Sequence, residues 1–169
     1  MKKTFLLFGL AVLMCLSVVA QQSRRVPRNS TAQTELKEVY SKWLTEDVTY
    51  IITPLEKLAF MRLTSDKQRE RFIEEFWRRR DPNSASSQNQ FRAEYYARIA
   101  YVNQNFASGS VVGWRTDRGR IYITYGKPDE VQKSSSGEIW TYNRLPNLGR
   151  GAKFEFVDNS GTGDFHLRQ

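Results

Sequence analysis

An α+β fold, with N-terminal helices packed on a small, mainly antiparallel C-terminal sheet of about four strands, follows from three observations. Upstream of Gly113, apolar residues recur at three- and four-residue steps, the period of a buried helix face. Downstream the period falls to two, as in Ile121-Tyr122-Ile123-Thr124-Tyr125. Helices come first, strands come later, and no internal repeat breaks that order.

The N-terminus has the pattern of a signal peptide. Lys2 and Lys3 precede the apolar run Thr4 to Val19, and Val18-Val19-Ala20 supplies small or aliphatic residues for cleavage between Ala20 and Gln21. The run is short against the ~17–25 residues that span a bilayer. Export is therefore expected, to the periplasm or beyond. The alternative is a retained anchor, and that segment is the only membrane contact expected. Cys15 is the single cysteine, and Met14 stands where a lipoprotein signal needs a small residue. Residues 21–169 then have no disulfide, no thiolate nucleophile and no thiolate metal ligand. Residues 21–34 read as a flexible tether and residues 35–169 as one domain, long enough to bury about 70% of its unfolded surface.

The formal charge is +8, which falls by two when Lys2 and Lys3 are removed. A basic surface attracts anions. The expected partner is an anionic envelope component or another envelope protein. No zinc-finger spacing, homeodomain-like helix or RNA-binding aromatic signature is present, so no nucleic-acid partner is expected.

Leu36, Val39, Tyr40, Trp43 and Leu44 define the face of a first helix, with Ser30 and Gln33 as a capping pair. Asp47 to Ile52 breaks the period and reads as a short strand or an extended connector. Thr53-Pro54-Leu55-Glu56 is a helix start. Thr53 accepts from the backbone, Pro54 loses no donor in the first turn, and Glu56 reaches back to the Thr53 amide. Ser65 and Gln68 cap the next helix, whose face is Phe72, Ile73, Phe76 and Trp77. Its last turn places Arg78-Arg79-Arg80 at the negative end of the dipole, before Asp81-Pro82 ends it. Phe91, Tyr95, Arg98/Ile99, Val102 and Phe106 mark a long helix, with Gly109 as its stop. Strands are expected at 121–125, 139–142, 154–157 and 165–168, the last two joined by the turn-rich stretch 158–163.

Between the helical and strand regions lies Gly113-Trp114-Arg115-Thr116-Asp117-Arg118-Gly119-Arg120, which resembles the signature of the GWxTD-domain family of bacterial proteins. The resemblance extends to Trp43-Leu44-Thr45-Glu46-Asp47-Val48, Phe72-Ile73-Glu74-Glu75-Phe76-Trp77, Gly126-Lys127-Pro128-Asp129-Glu130 and Phe154-Glu155-Phe156-Val157-Asp158. It covers roughly Trp43 to Leu167. It implies export and brings a fold, but no catalytic residue.

The octet itself has two readings. As a structural clasp, Asp117 bonds to amides ahead of it, Gly119 takes the left-handed conformation, and Gly113 lets Trp114 fold under the sheet. As a binding site, Arg115, Arg118, Arg120 and Lys127 gather charge near the backbone amides of the turn.

Other chemistries are weaker. Asp117 with Asp129 or another carboxylate is the acid and base pair of a possible glycan hydrolase or transferase, which needs ~5–10 Å between carboxyls. His166 is the only histidine, so no zinc set of the common kinds exists, and no cofactor is expected. Gly161-Thr162-Gly163 lacks the following helix of a phosphate loop. In the sheet region Tyr122, Trp140 and Tyr142 share a face in the simplest register. They form either the core under the helices, favoured for Trp140, or an exposed aromatic row that stacks on sugars or docks a partner. A non-catalytic binding or assembly module of the bacterial cell envelope fits these features best. A glycan-acting enzyme and a purely structural accessory domain are the alternatives.

Overall fold

The computed structural model describes residues 30–83 and 88–168. The expected signal peptide, with its cleavage point and Cys15, and most of the expected tether lie outside the described residues. Helix α1 spans Ser30–Lys42, so the end of the 21–34 segment is helical.

Helices precede the sheet, as expected, but among the described residues there are five and not the four marked in the sequence: α1, α2 (Pro54–Met61), α3 (Asp66–Arg78), α4 (Gln90–Asn105) and α5 (Asp117–Tyr125). Both predicted capping boxes form. In α2 the Glu56 amide donates to Thr53 Oγ1 and the Thr53 amide donates to Glu56 Oε2. In α3, Ser65 and Gln68 exchange the same pair of bonds. Tyr40, Trp43, Phe60, Phe76, Trp77 and Tyr95 lie at the centre of the helical half. Trp43 meets Phe76 edge-on at 5.2 Å, and Trp77 packs on Tyr95 at 5.5 Å.

Asp47 to Ile52 is neither strand nor extended connector. Trp43–Asp47 forms a π-turn in which the Val48 amide donates to the Trp43 carbonyl at 3.0 Å, and the Ile51 and Ile52 amides then return to the Val48 carbonyl. Val48 is fully buried, so the chain coils around that side chain instead of extending. At the end of α4 the helix stops at Asn105, earlier than Gly109. Gly109 takes φ +55° in the following turn.

The sheet has four antiparallel strands in the order β1-β2-β3-β4: β1 (Glu130–Ser134), β2 (Gly137–Leu145), β3 (Gly149–Val157) and β4 (His166–Leu167). The expected strand at 121–125 is instead the body of α5, and β1 takes its place in the sheet. Ile121 and Ile123 are both buried because α5 is covered on more than one side, by α4 and by the sheet. A helix covered that way loses the amphipathic period, and its β-branched and aromatic residues imitate a strand. β1 carried no signal because all of its residues are exposed.

The register pairs Val131 with Trp140 and Trp140 with Phe154. Trp140 and Tyr142 are 2% exposed and face the helices, as the core reading expects. Tyr122 reaches Trp140 from α5 and not from a neighbouring strand, with ring centroids 6.2 Å apart. His166 is an exposed strand residue beside Asp164.

Candidate functional site

The signature octet forms a joint between α4, α5 and β4. Gly113–Arg115 is a single 3-10 turn laid against α4. Gly113 is buried there, and a Cβ on it would overlap the Val102 carbonyl oxygen. The Trp114 amide donates to Asn103 Oδ1 at 2.9 Å. The Trp114 carbonyl accepts from the Tyr50 hydroxyl at 2.9 Å, and the two rings meet at 6.2 Å. The indole therefore leans on the segment after the π-turn and does not fold under the sheet. Arg115 lies exposed over its neighbour's indole, 4.9 Å from the ring centre.

Thr116 caps α5 with both capacities of its hydroxyl. Oγ1 accepts from the Gly119 amide at 3.0 Å and donates to the Gly113 carbonyl at 2.8 Å. Asp117 does not bond to amides ahead of it. Its Oδ2 accepts from the Leu167 amide, fifty residues away, at 2.9 Å, and its Oδ1 accepts from Arg120 Nη2 at 3.0 Å. Asp117 thus covers an N–H on the edge strand β4, and its position in the first turn of α5 suits a negative charge. Burial pushes its pKa up. The Leu167 amide and Arg120 outweigh burial and hold the carboxyl below the usual value. Gly119 is not left-handed. It lies inside α5, and glycine is required because a Cβ would overlap the Gly113 carbonyl oxygen.

The basic residues of the octet do not converge on the turn. Arg120 is engaged by Asp117, and Arg115 lies on Trp114. Asp129 Oδ2 accepts from the Asn143 amide at 2.7 Å, and its own amide donates to the Thr141 carbonyl, so it starts the pairing of β1 with β2. Asp117 and Asp129 therefore sit at opposite edges of the sheet. Each carboxylate is already engaged by a backbone amide of a different strand, Asp117 by that of Leu167 in β4 and Asp129 by that of Asn143 in β2.

Arg118 and Lys127 do meet, in a groove of about 350 Å³ between the C-terminal half of α4, α5 and the β1–β2 edge. One wall is the Tyr101–Tyr122 pair, stacked at 4.8 Å and 19°. Tyr101 is 42% exposed, and Trp140 lies beneath. The Arg118 guanidinium is clamped 3.8 Å from the Phe165 ring centre and 4.9 Å from that of Phe106. Its side chain is only 12% exposed, and its ion pair with Glu138 is long, at 3.5 Å. Its Nε is buried without a hydrogen-bond partner among the described residues. Glu138 also accepts from Trp140 Nε1 at 2.9 Å and lies 3.8 Å from Lys133.

A second cleft, of about 370 Å³, opens on the other side of the joint between the π-turn and Gly113-Trp114. Its polar groups satisfy one another. Asp47 takes Lys42 Nζ at 2.7 Å and the Tyr96 hydroxyl at 3.2 Å, and burial, followed by the Asp47 charge, pushes the Tyr96 phenol up to about 12. Among the described residues no group of three or more His, Cys, Asp or Glu side chains is placed to hold a metal ion.

Reading the sequence missed Tyr101, Lys133 and Glu138 as groove residues. Tyr101 did carry a signal, since it falls off the stripe of α4 that holds Tyr95, Val102 and Phe106. Lys133 and Glu138 meet Arg118 only through tertiary packing.

The profile of the GWxTD domain matches residues 22–167, nearly the whole chain. No curated protein and no solved structure is detectably similar to it. With its signature formed as a joint and the profile running almost end to end, the chain belongs to the GWxTD-domain family.

Proposed function

We propose that this protein is an exported, non-catalytic binding or assembly module of the bacterial cell envelope, that the signature holds its fold together, and that the Tyr101–Arg118 groove is its binding surface. The observation that carries this reading is the largely buried, under-bonded Arg118 beside a stacked tyrosine pair whose outer ring, Tyr101, is exposed. Buried charge is retained at a cost unless something pairs with it, and an anionic partner would complete what Glu138 does at long range. Export rests on the Lys2-Lys3 and Thr4–Val19 pattern. The engagement of Thr116, Asp117 and Arg120 within the joint supports a structural role for the signature, and the commitment of Asp117 and Asp129 to backbone amides of different strands counts against the glycan hydrolase or transferase.

Co-sedimentation with purified bacterial envelope fragments tests this. The protein should pellet with the fragments at low salt, and Tyr101→Ala combined with Lys127→Glu should leave it in the supernatant. Equal pelleting of that folded variant would overturn the groove as the binding surface. Release of reducing sugar from the fragments, abolished by Asp117→Asn, would replace the module with an enzyme.

A further inference from the structure

Resting on the binding reading above, we infer that the groove recognises a pyranose ring carrying an oxyanion, so that the class of ligand is an acidic sugar. A tyrosine pair and an arginine along the groove supply the two halves of that recognition. Tyr101 and Tyr122 lie nearly parallel, and the exposed outer ring offers a flat apolar face of the kind on which the C–H side of a sugar packs. One helical turn before Tyr122 on α5 stands Arg118, whose planar fork of five N–H groups matches a carboxylate or a phosphate bidentately. One long bond to Glu138 uses little of that capacity.

Arg118 is also fixed in advance. The rings of Phe106 and Phe165 hold its guanidinium, so little rotamer freedom remains to be lost on binding. Lys127 and Lys133 add two further cations at the rim, against the single carboxylate of Glu138. Lys133 is 75% exposed and held only by a long ion pair with Glu138, at 3.8 Å. Glu138 is held by Trp140 Nε1 and keeps acceptor capacity for a sugar hydroxyl. The volume, about 350 Å³, falls in the ~300–1,000 Å³ range of small-molecule sites and suits a short glycan segment better than a protein face.

Calorimetric titration of the purified protein with trigalacturonate, galactotriose, glucose 6-phosphate and hexaglutamate tests this. Trigalacturonate should bind at least about tenfold more tightly than galactotriose, with glucose 6-phosphate separating phosphate from carboxylate as the favoured anion. Tyr101→Ala should weaken trigalacturonate about fivefold to tenfold. Lys127→Ala should weaken trigalacturonate, reduce its salt dependence and leave galactotriose unchanged. Arg118→Lys should abolish the preference for the acidic sugar, and the two surface variants keep the test valid if that buried substitution fails to fold.

Equal binding of galactotriose and trigalacturonate would overturn the oxyanion half. Hexaglutamate binding as tightly, and unaffected by Tyr101→Ala, would overturn the sugar and make the groove a contact for an acidic protein. If no probe binds while the protein still pellets with envelope fragments in a Tyr101-dependent way, this inference fails and the binding reading stands. If pelleting is also lost, the binding reading itself fails.

Discussion

Gly119 presses its bare Cα side against the carbonyl oxygen of Gly113, and Gly113 presses in the same way against the carbonyl of Val102. Two glycines six positions apart thus stack α5 on the 3-10 turn and the turn on α4, backbone against backbone. Neither takes a positive φ, so close approach is the reason for glycine at both places.

Gly119→Ala reads this packing by the sign of its effect. Alanine at an unobstructed helical position stabilises by roughly 0.5–1 kcal/mol. Here the methyl meets a backbone oxygen that cannot rotate away, and the expected result is a loss of about 3 kcal/mol in urea unfolding. A stabilised variant would remove the close approach from the account.

Thr116 is the cap between those glycines. Thr116→Ala should cost about 1–2 kcal/mol by stranding the Gly119 amide and one bond of the Gly113 carbonyl, and Thr116→Ser should restore most of it. Equal loss in both variants, measured by thermal unfolding, would point to the methyl group instead of the hydroxyl.

Glu56 joins α2 to the residues that follow α3. Its carboxylate takes Arg80 at 2.7 and 3.0 Å and Arg79 at 3.0 Å, while Arg80 lies 3.6 Å over the Phe76 ring centre. Burial pushes Glu56 up, but Arg80, the Thr53 amide and Arg79 outweigh it and hold the carboxyl at about 2. A carboxyl depressed by folding stabilises fully above its unfolded value of about 4.3 and loses that contribution as pH falls toward 2. On the order of 2–3 kcal/mol should disappear across that window in the parent protein and be missing throughout in Glu56→Gln. Parallel stability profiles for the two proteins between pH 5 and pH 2 would contradict this.

The helix starts were legible because a capping box is local. Thr53 with Glu56, and Ser65 with Gln68, lie three residues apart, and each pair dictates its own geometry. The burial of Trp140 and the antiparallel sheet were legible from the period-two pattern around them. α5 was not, since a helix covered by both α4 and a sheet keeps only a narrow polar stripe, Asp117, Arg120 and Thr124, and Ile121 to Tyr125 took the appearance of a strand. The partners of Asp117 were also hidden. Its bond to Leu167 spans fifty residues, and no local spacing encodes it. The groove was half visible: Arg118 and Lys127 stood among the candidates, but the edge strand that completes it, with Lys133 and Glu138 at its turn, gave no periodic signal.

Asp117 is where the structural and functional readings of the signature part most clearly. Urea unfolding of the parent protein and of Asp117→Ala, followed by tryptophan fluorescence, measures the difference directly. The joint predicts a loss of at least ~2 kcal/mol, since the Leu167 amide and Arg120 both lose their acceptor. An unchanged midpoint with an unchanged slope would contradict the joint and return Asp117, with the arginines beside it, to the centre of the search for a ligand.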